Sequence, residues 1–446
     1  MLYRKIEKNI ENWLKTSKSA LLIEGARQVG KTYIIRSTLS TCGVPFFEFN
    51  LIENPDVIKI FETSKNNINS FVDYLSFLCG ETIEKGSIIF LDEIQQCKEI
   101  VTYIKFLVDQ NDYKFILSGS LLGVELVNLK SAPVGYLEIL KMYPLDLEEF
   151  CINQGVPNNI LGELRICFEK EKEVPSIIHD KMIEIFKNYL IIGGMPDSVN
   201  KFLEEKSLAD IEKVHKNLIE LYKLDFTKCE ENSRLKLMKI YELLPAELSS
   251  PNKRFIFSDL ENRGRFDRYE NSFNWLIDAG VALPTYNISE PRLPLKINMD
   301  NSSFKFFMSD VGLLTSCYGS ATKHALVVGD NSLNAGAIYE NFVAQELAAH
   351  GFDLFYFNNR RLGELDFVIE YEEKALPIEV KSGKDYVRHS ALNNALKNEV
   401  YKIDKAIVLS NYNVSKNGNI LYLPIYMTMF IDNPTLDNIK LKKVVF

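Results

Sequence analysis

Eight residues near the start of the chain, Gly25-Ala26-Arg27-Gln28-Val29-Gly30-Lys31-Thr32, have the types and spacing to grip a polyphosphate. A G-x-x-x-x-G-K-T loop that leaves a strand and opens a helix turns its N–H groups inward, and the helix dipole adds positive potential there. Gly25 and Gly30 permit the torsions and the close approach. Ala26, Arg27, Gln28, Val29 and, beyond the motif, Tyr33 complete the expected lining. Lys31 would reach the β- and γ-phosphates, and the Thr32 hydroxyl would ligate Mg²⁺. Two adjacent carboxylates, Asp92 and Glu93, end the apolar run that begins at Ser87. In nucleotide hydrolases built this way the first acid holds Mg²⁺ through its water shell and the second polarises the attacking water. Asp92 would take the first role and Glu93 the second. The next apolar run, Lys114-Phe-Ile-Leu-Ser118-Gly-Ser120, ends in hydroxyls, so Ser118 or Ser120 would hydrogen-bond the γ-phosphate or the water. The plain alternative is a Ser-Gly-Ser turn.

A second constellation lies near the C-terminus: Glu340, Asp366, Glu379 and Lys381. Side chains repeat every two residues along a strand, so Glu379 and Lys381 share a face. Asp366 and Glu379, with Glu340 in the outer shell, would hold one or two Mg²⁺ ions that polarise a phosphodiester. Lys381 would orient the attacking water or help deprotonate it. Lys384, Arg388, Arg360 and Arg361 nearby suit a phosphate backbone.

The elements that must position these groups follow from periodicity. Ala20 to Ile23 reads as a strand, Thr32 to Cys42 as a helix and Val44 to Leu51 as a strand. Asn54 to Gly80 reads as helices over a sheet, and Ile100 to Val108 as a further helix. Continuous apolar runs such as Ile88 to Leu91 suit the middle of a parallel sheet, whose ligands gather at the carboxyl ends of the strands. Residues 1–150 therefore form the first domain. Residues 151–232 read as a helical lid and linker, with helices over Glu163–Glu171, Ser176–Ile192 and Leu208–Cys229, broken at Gly193-Gly194 and Pro196. Residues 233–300 read as a winged helix-turn-helix. There the helix Arg234–Leu248 precedes two further helices, and a hairpin pairs Val281–Tyr286 with Leu295–Met299. Its Arg254, Arg263, Arg265 and Arg268 make a local basic cluster suited to DNA. Residues 301–446 form the last domain. It has a helix over Ala337–Leu347 and strands over Leu354–Phe357, Gly363–Ile369, Leu376–Lys381, Lys405–Leu409, Ile420–Leu423 and Ile425–Phe430, with an uninformative tail from Lys440 to Phe446.

Composition narrows the classes. A chain of 446 residues exceeds one core and fits two to four domains. The net charge of −8 gives no global attraction to nucleic acid, so contact must come from local patches. Seven cysteines without a C-x-x-C pair indicate neither a disulfide framework nor a zinc ribbon, and a reducing, cytoplasmic compartment is expected. The N-terminal stretch mixes charges with apolar residues unlike a signal peptide, and no run reaches the ~18 apolar residues that span a bilayer. No membrane association is expected.

The motifs GARQVGKT, IIFLDEIQ and FILSGS resemble those of AAA-type P-loop ATPases. More narrowly, they resemble a bacterial and archaeal family of predicted ATPases whose C-terminal part is a domain of unknown function, number 4143. Tyr143-Pro-Leu-Asp-Leu-Glu-Glu-Phe150 and Gly193-Gly-Met-Pro196 are similar to further elements of that family. The resemblance implies an α/β fold: a P-loop parallel sheet, a helical lid, a winged helix and a C-terminal domain resembling the PD-(D/E)XK nuclease and restriction-endonuclease fold. It implies ATP and Mg²⁺ as cofactors and DNA as a partner. The family usually places an Arg after a Gly before the Pro-Leu element, whereas this chain has Gly135-Tyr136. Arg27, Lys130, Lys141 or an Arg from a neighbouring subunit of a homo-oligomer are the substitutes. The expected function is an ATPase coupled to DNA binding, with cleavage by the C-terminal domain left open. The alternative is a nucleotide-switched regulatory or interaction protein whose nuclease-fold domain is inactive.

Overall fold

The computed structural model describes residues 2–65, 67–109, 112–120, 135–205, 207–251, 253–261, 264–330 and 334–433. Lys130, Arg263 and the tail 440–446 lie outside these residues. The first sheet contains β1 (Ala20–Glu24), β2 (Phe46–Asn50), β3 (Ile88–Asp92), β4 (Lys114–Ser118) and β5 (Leu137–Lys141), in the order β2-β3-β4-β1-β5. Every pairing in it is parallel. Its strands alternate between two cores: Ala20 and Leu22 of β1 face one apolar cluster, Leu21 and Ile23 the other. A strand covered on both faces can carry polar groups only at its ends, so Asp92 and Ser118 terminate adjacent strands beside the loop that leaves β1. The edge strand β5 has no counterpart in the sequence reading, because its charged, half-exposed residues give no apolar run.

The second sheet has eight strands. They are β6 (Ala282–Ile288), β7 (Met299–Met308), β8 (Phe355–Asn359), β9 (Gly363–Tyr371), β10 (Lys374–Val380), β11 (Ala406–Ser410), β12 (Ser415–Asn417) and β13 (Ile420–Pro424). Their order is β12-β13-β11-β10-β9-β8-β6-β7. The β6–β7 hairpin is the one expected as a wing, yet β6 also pairs in parallel with β8. The hairpin is thus part of the C-terminal sheet, and the boundary expected at residue 300 falls inside β7. Leu295–Asn298, expected to start the second wing strand, is a 3₁₀ turn ahead of β7. Ile425–Phe430, expected as a strand, is also a 3₁₀ helix. All six of its residues are buried, so their apolar run reflects burial on every side instead of a strand's period.

The helical segment expected as a lid and linker is packed in depth. Ser176–Ile192, Leu208–Phe226 and Glu231–Ser249 share one apolar core with β7, β9, β10 and the helix Gly336–Ala349. Residues of that core run from Leu145 to Ile431, with Leu2 added from the N-terminus. In the expected winged helix, helical structure among the described residues between 253 and 280 is Phe257–Leu260, a 3₁₀ turn Phe266–Arg268 and Glu270–Asp278. Arg265 and Arg268 thus lie ahead of the last helix and not along it. No helix among the described residues is long and apolar enough to cross a membrane.

Candidate functional site

The loop between β1 and the helix Lys31–Cys42 is held by backbone geometry before any side chain acts. Gly25 has φ +152°, and a Cβ there would lie 2.2 Å from the Met142 carbonyl oxygen, so no other residue fits beside the end of β5. Gly30 caps the helix at φ +96° with no side chain on the first amides, which leaves them for an anion. The Lys31 ammonium donates to the carbonyls of Gly25 at 2.8 Å and Ala26 at 2.9 Å. Its burial lowers its pKa to about 8, against the pull of Glu93 and Asp92.

The acids stand where the loop needs them. The Thr32 hydroxyl donates to Asp92 Oδ2 at 2.9 Å, which brings together two hard oxygen donors of the kind Mg²⁺ takes. The other Asp92 oxygen accepts from the Ser118 hydroxyl and from the Glu93 amide at 3.0 Å. Ser118 is wholly buried, so it orients Asp92; the cavity is lined instead by Ser120, which bonds Glu93 Oε2 at 3.4 Å. Glu93 sits at φ +56° and is also held by the Gln95 amide. These residues open on a cavity of about 710 Å³ whose far wall comes from Pro196, Asp197, Asn200 and Lys228 of the helical body. The residues present fit a magnesium-nucleotide: oxygen donors at Thr32 and Asp92, free helix amides and a buried ammonium.

Of the candidate cations, Arg27 lines this cavity and pairs with Asp225 at 2.8 Å. Lys141 lies 3.6 Å from Glu24 and lines a separate cavity of about 380 Å³ behind Gly25. The sequence reading missed Arg4. This buried residue donates to the Val29 carbonyl at 3.2 Å, to Glu149 at 3.1 Å and to the Tyr143 carbonyl at 2.6 Å. Only the Glu149 in its capping box could have hinted that a buried cation was needed.

In the second constellation Glu340, Asp366, Glu379 and Lys381 do converge. Glu379 is pushed up to about 8, first by burial and then by Asp366, with a smaller push from Glu340. Glu379 Oε1 pairs with Lys381 at 2.6 Å, and Asp366 Oδ2 accepts the Val380 amide at 2.8 Å. Glu340 is engaged on both of its oxygens. One oxygen is held by Lys253, and the other faces Lys305 at 3.7 Å. Lys305 is itself fully buried and reaches Glu364 at 2.6 Å. Glu340 is therefore the counter-ion of two lysines. Among the described residues no group of three or more His, Cys, Asp or Glu could hold a metal ion. Lys253 and Lys305 went unnoticed because nothing local marks them; β7 carries Lys305 into the site across the sheet. Arg360, Arg361, Lys384 and Arg388 are all exposed.

Comparisons with known proteins match three stretches of the chain. Residues 17–151 match an AAA domain, residues 183–323 a domain of unknown function designated DUF8612, and residues 335–427 a domain of unknown function designated DUF4143. The chain resembles the solved Walker-type ATPase of Pyrococcus abyssi at 15% identity and TM-score 0.44, over 71% of this chain and 96% of that one. It resembles the Aeropyrum pernix Orc1 protein in complex with DNA at 13% and 0.27, over 74% and 93%. A variant of Thermotoga maritima RuvB matches at 16% and 0.30, over 64% and 90%. No curated protein matches the chain in sequence.

Proposed function

We propose that the chain binds and hydrolyses ATP at the cavity lined by the phosphate loop, Asp92 and Glu93 and that its C-terminal half engages DNA. The observation that carries the first part is the meeting of Lys31, Thr32, Asp92 and Glu93 around one opening, with Thr32 and Asp92 60 residues apart in sequence. The loop amides and Lys31 bind and orient the polyphosphate. Thr32 and Asp92 would hold Mg²⁺, which when bound neutralises phosphate charge and polarises the γ-phosphoryl group. Glu93, aimed by Gln95 and Ser120, would accept a proton from the attacking water. Ser118 keeps Asp92 in place.

The DNA reading rests on exposed Arg360, Arg361, Lys384 and Arg388 around the second constellation, with Arg254, Arg265 and Arg268 also exposed. Cleavage by Asp366, Glu379 and Lys381 is the finer possibility. The engagement of Glu340 by two lysines favours a second reading, a nucleotide-switched domain that binds without cutting. One experiment separates these: ATP turnover of the full chain with and without linear, branched and plasmid DNA, each DNA then run on a gel. Stimulation of wild type but not of the Lys31→Ala variant supports coupling. Nicking lost in Glu379→Ala and Lys381→Ala supports cleavage, whereas a flat ATPase rate with every DNA would overturn the DNA reading.

A further inference from the structure

The phosphate loop is gripped from outside its own domain. Arg27 Nη1 meets Asp225 Oδ1 at 2.8 Å across 198 residues of sequence, and the Tyr222 hydroxyl donates to the Arg27 carbonyl at 3.4 Å. Asp225 lies in the last turn of the helix Leu208–Phe226 and is almost fully buried, its side chain 3% exposed. Its Oδ1 also takes Lys228 at 2.7 Å, and Lys228 lines the nucleotide cavity together with Arg27. A single carboxylate thus holds two cations at that cavity. Beside it Gly280 abuts the loop: a Cβ there would stand 2.9 Å from the Ala26 nitrogen, at φ +72°.

We propose that Asp225 is a positioning residue of the nucleotide site, acting through Arg27 and Lys228 on the polyphosphate and tying loop geometry to the helical body. This rests on the reading of the cavity as an ATP site. Burial gives the carboxylate its leverage. It is seated among Phe226, Trp275, Ala279 and Val281, where water competes little, so it keeps the Arg27 guanidinium in one place. Arg27 and Lys228 are 37% and 59% exposed on their own sides, so water screens the charge that neutralising Asp225 would unmask, and loss of order outweighs it. Nothing local in the sequence singles out Asp225; only the packing of the long helix on the loop does.

The test measures steady-state ATP hydrolysis and fluorescent-ATP binding on the full chain. The Asp225→Asn variant should raise KM for ATP by about tenfold and leave kcat within about twofold. The Arg27→Ala variant should also raise KM, and the double variant should lose less than the sum of the two single losses, because the Arg27–Asp225 interaction is common to both. The Asp225→Glu variant should recover most of the loss. A purely structural role would lower Tm without this split between KM and kcat. Wild-type KM in Asp225→Asn, or additive losses in the double variant, would overturn the proposal while Lys31→Ala still abolishes binding. If wild type itself fails to bind ATP, the cavity reading falls first and this proposal falls with it.

Discussion

Arg4 donates a hydrogen bond to the Val29 carbonyl at 3.2 Å, so the N-terminal segment braces the phosphate loop from behind. The same guanidinium is ion-paired with Glu149 at 3.1 Å, both side chains being 7% exposed or less. The Arg4→Met variant would leave Glu149 buried without its partner, at a cost of about 3–5 kcal/mol. Denaturant unfolding should show that loss, and adding Glu149→Gln should return part of it. An unchanged midpoint in Arg4→Met would refute the brace.

Lys31 makes ATP affinity depend on pH. Burial holds its pKa at about 8 in the empty site, and a bound polyphosphate favours the charged form. Protonated Lys31 dominates below pH 8, so affinity should be level there and weaken above it. Calorimetry at pH 8.5 in buffers of different ionisation enthalpy should register proton uptake on binding; a buffer-independent heat would contradict the assignment.

Glu93 lines the cavity and takes hydrogen bonds from Gln95 and Ser120, both outside the loop. The Glu93→Gln variant should bind ATP as wild type does while turnover falls by roughly 10²–10⁴-fold. A parallel loss of binding would mean that the residue shapes the site instead of acting on water.

The stability contributed by His350 and Glu346 should fall as pH rises from near neutral to 9.5. His350 faces Asp146, Glu346 and Lys5; burial opposes its charge, yet Asp146 and Glu346 hold its pKa up at about 9. Glu346 is raised to about 8, by burial first and then by Asp146. Both groups bind more protons folded than unfolded, so the stability they contribute is complete at low pH. It declines from pH 4.5 upward for Glu346 and from 6.5 upward for His350. Asp146 is shifted downward and acts with the opposite sign, but only in acid. Between pH 6.5 and 9.5 the melting temperature of wild type should fall more steeply than that of His350→Gln; parallel slopes would exclude His350 as a source.

Lys305 and Glu340 form a buried pair whose members should be separable. The Lys305→Met variant strips Glu340 of one ammonium and should destabilise the fold by about 3–5 kcal/mol. The double variant Lys305→Met/Glu340→Gln should regain a substantial part of it. Strictly additive losses would show that the two residues act separately.

What the sequence by itself determined was local. Gly25 to Thr32 declares its backbone needs through two glycines, and the apolar runs before Asp92 and Ser118 declare strands covered on both faces, because period and polarity are properties of neighbours along the chain. The helix Ser176–Ile192 was legible to the residue for the same reason. Tertiary structure alone decided what depends on distant partners. It merged the expected wing into the C-terminal sheet by pairing β6 with β8, and it sank the expected lid helices into a shared core. It delivered Arg4 to Val29, Asp225 to Arg27 and Lys305 to Glu340. Each of those contacts joins residues far apart in sequence, and a buried charge leaves no periodic trace: its partner is chosen by packing in space, which no local pattern records.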